Sequence, residues 1–136
     1  MADDPSPGEE ASRSPFAKLL DIYPGISQDG VGSAFMEIQE MHRQTAGYVQ
    51  GGIIVALADF AFARAVHSVS QPGQPTVTIE LKMNFISPAK DGKLTATARI
   101  LSQGRRIVVG EMEVTGEDQA LIARGLGTFM LLQPGS

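Results

Sequence analysis

The chain has 136 residues, 43% of them hydrophobic and 19% charged, with a net charge of −4 and no cysteine. That is the composition of one soluble globular domain, and it excludes disulfides, thiolate metal sites and a cysteine nucleophile. No basic stripe is present, so nucleic acid is not an expected partner. His42 and His67 are the only imidazoles. They fall at no recognised metal-ligand spacing and are expected to be incidental, His67 near a helix C-terminus where a cation is favoured.

Met1 to Ser14 is rich in Asp, Glu, Ser and Pro and lacks the basic start and apolar run of a signal peptide, so it is expected to be a disordered tail before a single domain over 15–136. With no segment long enough to span a bilayer, a cytoplasmic protein without a membrane partner is the expectation. Pro15 to Ile22 follows as a short amphipathic helix, Ser14 capping it, Phe16, Leu19 and Leu20 forming its buried stripe, and Pro24-Gly25 ending it. Ser33 to Met41 alternates as a strand, with Ala34, Met36 and Ile38 on one face.

Gly51 to Val69 is the most telling segment. It is helical in pattern and apolar on every side, about 28 Å long, and long enough to cross a sheet. Two glycines open it and one carboxylate, Asp59, sits in its middle. A carboxylate among apolar neighbours is costly unless something pairs with it or uses it. Positions 55, 56, 62 and 63 are Val, Ala, Phe and Ala, so no cation lies one turn away, and Arg64 points elsewhere.

Gln71 to Pro75 breaks the helix, and period two takes over from Thr76. Val77, Ile79, Leu81, Met83 and Phe85 share one face, Thr78, Glu80, Lys82 and Asn84 the other. After the turn at Pro88 to Gly92, strands over Lys93 to Ser102, Ile107 to Thr115 and Ala120 to Leu132 are joined by Gln103-Gly104-Arg105 and Gly116-Glu117-Asp118. The economical packing is α+β, an antiparallel sheet wrapped around one long central helix, with strand edges that a second subunit would cover.

Four motifs occur in order: Gly47-Tyr48-Val49-Gln50-Gly51-Gly52, Leu57-Ala58-Asp59, Phe85-Ile86-Ser87-Pro88-Ala89-Lys90 and Gln103-Gly104-Arg105. In these the chain resembles the hotdog-fold acyl-CoA thioesterases of the phenylacetate-degradation type, over roughly Gly25 to Leu132. The resemblance implies hydrolysis of an acyl- or aroyl-CoA thioester without a metal or separate cofactor, coenzyme A being part of the substrate. It implies that the Gly51 N–H polarises the thioester carbonyl, a role suited to a free helix-start donor. Asp59 matches the catalytic carboxylate, as nucleophile or as the base that activates water. Gln44 matches an amide near the reacting groups, and Thr78 a hydroxyl that helps hold the attacking water.

Gln50 stands where the family has histidine, and glutamine donates hydrogen bonds but does not titrate. Arg105 and Arg106, with Lys90 as a weaker candidate, are suitable ligands for the phosphates of coenzyme A. The family places its site between two subunits, with Asp59 and Gly51 coming from different chains, in a homodimer at least and a homotetramer by family. The strand pattern sets Thr78 opposite Val77 and Ile79, so its role requires that face to meet the site. A non-catalytic acyl-CoA binding or sensing protein is the alternative, motivated by Gln50. A hydratase is disfavoured, because neither histidine lies at a suitable spacing from Asp59.

Overall fold

The computed structural model describes residues 13–133. The predicted tail therefore lies outside the described residues except for Arg13 and Ser14, and both are held to the fold. The Arg13 guanidinium lies 4.1 Å over the Tyr23 ring, and Ser14 Oγ accepts from the Ala17 N–H at 3.1 Å. The capped helix is α1, Pro15–Leu20, closed by Asp21 in the left-handed conformation. Its stripe differs from the expected one. Ala17 is the buried residue, whereas Phe16 and Leu19 are exposed. Leu20, the third residue of the expected stripe, is partly buried and packs against the core beside Ala17.

Strand β1, Tyr23–Gln28, was not expected, because Pro24-Gly25 reads as a helix stop. It pairs antiparallel with β2, Val31–Glu37, across Asp29 and Gly30, both at positive φ. This two-residue turn matches the twist of a hairpin. Strand β2 begins and ends earlier than predicted, since a 3-10 turn at Glu40–His42 takes the place of its last residues. Ala34 and Met36 face the core as expected.

Helix α2, Gly51–His67, stops just short of the predicted end. Strands β3, Thr76–Phe85, β4, Lys93–Gln103, β5, Ile107–Thr115, and β6, Leu121–Leu131, follow as predicted to within a residue or so. All six strands form one antiparallel sheet in the order β1-β2-β4-β5-β6-β3, curled around α2. This is the α+β hotdog arrangement.

The helix meets the sheet through Leu57, Ala58, Ala61, Phe62, Ala65 and Val66, all fully buried. Phe62 stacks on Phe129 with ring centroids 4.7 Å apart. Gly32 of β2 is where strand and helix touch most closely, since a Cβ there would run into Ala61 O and Ala65 N. One sheet covers only one side of a helix. The other flank of α2, including Val55, Ala56, Asp59, Phe60 and Ala63, stays half-exposed in the single chain.

Strand β3 is an edge strand with β6 on its inner side. Its register slips between Thr78, opposite Phe129, and Glu80, opposite Thr128, so Ile79 is an extra residue in a bulge. Strict alternation is therefore wrong for this strand. Leu81 and Met83 pack on the core, Val77 and Ile79 are exposed, and Thr78 turns toward the helix.

Candidate active site

Asp59 lies on the uncovered flank of α2, where the bulge delivers Thr78. The Thr78 hydroxyl donates to Asp59 Oδ1 at 2.7 Å. The two line a cleft of about 310 Å³ whose walls include Phe16, Phe60, Ala63 and Phe129. Burial among these apolar groups raises the Asp59 carboxyl above its ordinary value, and the Thr78 bond pulls it part of the way back. No ion pair to Asp59 occurs among the described residues. Arg64 is turned away, donating to Gly25 O at 3.1 Å. His67, two helical turns beyond Asp59 on the same face, lines the far end of this cleft. Partial burial and the Arg64 charge lower its pKa.

Gly51 opens a separate cleft of about 350 Å³, walled by Gln44, Tyr48, Ile54, Phe85, Ile86 and Pro88. As the first residue of α2 it keeps its N–H outside the intrahelical ladder, at the positive end of the helix dipole. A Cβ on Gly51 would sit 3.4 Å from the Phe85 ring, so the bare glycine keeps the floor of this cleft open. Gln44 shares the cleft, its Oε1 accepting from the Ala46 N–H within its own turn.

The other predicted residues distribute as follows. Gln50 is the N-cap residue of α2, exposed, with no capping bond from its side chain, and it is not part of either cleft's lining. Lys90 is exposed at the rim of the Gly51 cleft, its ammonium 5.9 Å from the Tyr48 ring. Arg105 and Arg106 are exposed on the β4–β5 turn and line a third recess of about 210 Å³ with Gln71 and Gln74. Because Ile107 pairs with Met130 and Thr76 with Leu131, this recess lies toward the Thr78 end of β3, opposite the Phe85 end.

One chain thus brings Asp59 and Thr78 together, and separately Gly51 and Gln44. The eight-residue step from Gly51 to Asp59 amounts to about 12 Å along the helix axis. Among the described residues no cluster of three or more metal-ligand side chains occurs.

Residues 46–123 match the model of the thioesterase superfamily. The chain belongs to that superfamily. Among its relatives is a putative esterase of Saccharolobus solfataricus, 30% identical over 76% of this chain and 69% of the relative. Mouse acyl-coenzyme A thioesterase 13 is 30% identical over 68% of this chain and 67% of the relative. The solved structure of the Escherichia coli PaaI protein, from the phenylacetic acid degradation operon, superposes with a TM-score of 0.83 at 26% identity, over 92% of this chain and 89% of that one. The superfamily match together with the PaaI and thioesterase likenesses makes this hotdog domain a thioester hydrolase of the PaaI-like type. His42 is fully buried and His67 borders the Asp59 cleft.

Proposed function

We propose that this thioesterase hydrolyses an acyl- or aroyl-CoA thioester to the free acid and coenzyme A, at a site shared by two copies of the chain. The observation that carries it is the placement of a desolvated carboxylate, with a hydroxyl partner and no ion pair among the described residues, about 12 Å along one helix from an open helix-start N–H. An oxyanion donor and an attacking group must both lie about 3 Å from one carbonyl. Within one chain these two do not meet that requirement. The half-exposed flank of α2 and the free edge of β3 support pairing with a second copy, whose Gly51 then meets this copy's Asp59.

In that arrangement the Gly51 N–H donates to the thioester oxygen and stabilises the developing oxyanion. Thr78 occupies Asp59 Oδ1, which leaves Oδ2 for the reaction. As base, Asp59 takes a proton from water while the water oxygen bonds to the carbonyl carbon. As nucleophile, it bonds to that carbon itself, and water later cleaves the anhydride. In either case the carbon–sulfur bond breaks and coenzyme A leaves as thiolate. Gln50 does not titrate, so the thiolate is protonated by solvent or, on the general-base route alone, by the proton Asp59 has taken from water. Gln44 orients the carbonyl or the water, and Arg105 and Arg106 contact the phosphates. Lys90 contributes at the rim.

The test is a panel of aliphatic and aromatic CoA thioesters given to the wild type and Asp59→Asn side by side. Wild-type turnover that collapses in the variant is expected. Absence of turnover across the panel, or equal rates, overturns the proposal. Calorimetric binding of a CoA thioester without turnover would instead indicate a binding protein on this scaffold.

A further inference from the structure

Among the described residues, His42 is the polar side chain with no solvent exposure at all. Both its ring nitrogens are engaged by backbone groups. Nδ1 accepts from the Gln39 N–H at 2.9 Å, and Nε2 lies 2.8 Å from the Leu20 carbonyl oxygen. A carbonyl only accepts and an amide N–H only donates. Only one form of the ring satisfies both, the neutral tautomer with its proton on Nε2. A second proton would set N–H against N–H at Gln39.

The ring's anchorage continues along the backbone. The His42 carbonyl accepts from the Gln50 N–H at 2.9 Å, and Gln50 is the N-cap of α2. Between these two residues the chain folds back on itself. Arg43 bridges to Val49, and Gln44 N–H donates to Tyr48 O at 2.7 Å. The base of this small loop is therefore the His42–Gln50 bond. Its tip carries Gln44 and its exit is Gly51, both lining the same cleft. At the entrance, the Gln39 side chain donates to Asp21 Oδ2 at 2.7 Å, tying the turn to the end of α1.

We propose that His42 is a positioning residue for the oxyanion donor. Its buried neutral ring fixes the turn that aims the His42 carbonyl at Gln50, and so sets where the Gly51 N–H and the Gln44 amide stand. The role rests on the assignment of Gly51 made above. The two ring bonds differ in their consequences. The bond to Gln39 shapes the turn itself, whereas the bond to Leu20 only fastens that turn to α1.

Isosteric variants separate the two bonds. His42→Asn keeps an acceptor at the Nδ1 position and loses the Leu20 bond. His42→Gln keeps a donor at the Nε2 position and loses the Gln39 bond. Each variant is measured for kcat and KM on a CoA thioester turned over by the wild type, for Tm, and by amide NMR. A donor misplaced by a fraction of an ångström lowers kcat, so His42→Gln is expected to lose about 10- to 100-fold in kcat with KM within a few-fold. His42→Asn is expected to keep kcat near the wild-type value although its Tm falls. The Gly51 and Gly52 amide resonances are expected to move, and the Gln50 amide to exchange faster, in His42→Gln but not in His42→Asn. Equal kcat in the two variants, or a kcat that simply follows Tm, overturns the positioning role. So do Gly51 amides unmoved in His42→Gln. The NMR comparison needs no turnover, so it decides the role of His42 even where the wild type hydrolyses no thioester and the assigned activity fails.

Discussion

Thr78→Val removes one hydroxyl and little else. Valine keeps the branched shape, and it suits a strand at least as well as threonine does. What is lost is the 2.7 Å bond to Asp59 Oδ1. A hydrogen bond to a charged group contributes about 1.5–3 kcal/mol, and the exposure of Thr78 in the single chain places this one at the low end, about 1.5 kcal/mol. The bond favours the ionised carboxylate, whereas burial favours the acid, and burial already has the upper hand. Without the hydroxyl the carboxyl rises further. The reaction needs the carboxylate, so the acid limb of kcat/KM is expected to move to higher pH. On that limb the rate should drop about tenfold, the equivalent of ~1.4 kcal/mol. The assay is free-thiol release across pH for both proteins, with the two limbs overlaid. Any loss that persists on the alkaline plateau measures the second role proposed for Thr78, holding water. An acid limb that stays in place, or moves to lower pH, refutes the account of Asp59.

Asp59→Asn is expected to abolish turnover and also to raise Tm at neutral pH, because it removes the need to hold a charge among apolar groups. The sign follows from the raised folded-state pKa. The folded form holds its proton more tightly than the unfolded form, so stability falls as pH rises from the unfolded value through the folded one. The gain in Tm should therefore shrink toward zero in acid, and a gain that grows in acid contradicts it. Replacing Arg105 and Arg106 together by alanine should raise KM for CoA thioesters several-fold at nearly constant kcat, and should leave hydrolysis of a truncated pantetheine thioester unchanged. Ile79→Lys adds a charge to the exposed bulge on the free edge. Sedimentation is expected to show a folded monomer, with turnover lost because Asp59 no longer meets a second copy's Gly51. An active monomer would rule out the shared site.

Much of this was legible in the residues. The uniformly apolar stretch around Asp59, ended by Gln71 to Pro75, gave the helix, and period two with glycine-bearing turns gave β4 to β6. Strand β1 was hidden because Pro24-Gly25 resembles a helix stop, although Asp29-Gly30 was a hairpin signal that could have found it. The side of β3 that Thr78 takes was not legible, because an extra residue in a bulge leaves the same alternation of types on paper while shifting the direction of everything before it. His42 was invisible for a different reason. Its partners are the Leu20 carbonyl and the Gln39 amide, and backbone groups have no residue identity to recognise. The separation of Asp59 from Gly51 is simple helix arithmetic. The cleft each enters depended on how far one sheet curls around one helix.

The supernumerary Ile79 has a consequence for how this enzyme tolerates change in length. Shortening β3 by that one residue would mend the ladder with β6, an apparent improvement in the sheet. It would also rotate Thr76 to Thr78 by half a pleat, sending the hydroxyl out to solvent and taking the Thr78 donor away from Asp59. Single-residue deletions scanned along β3 should therefore separate folding from turnover at this one position, where parity of the count, and not the chemistry of any side chain, decides whether the carboxylate is attended.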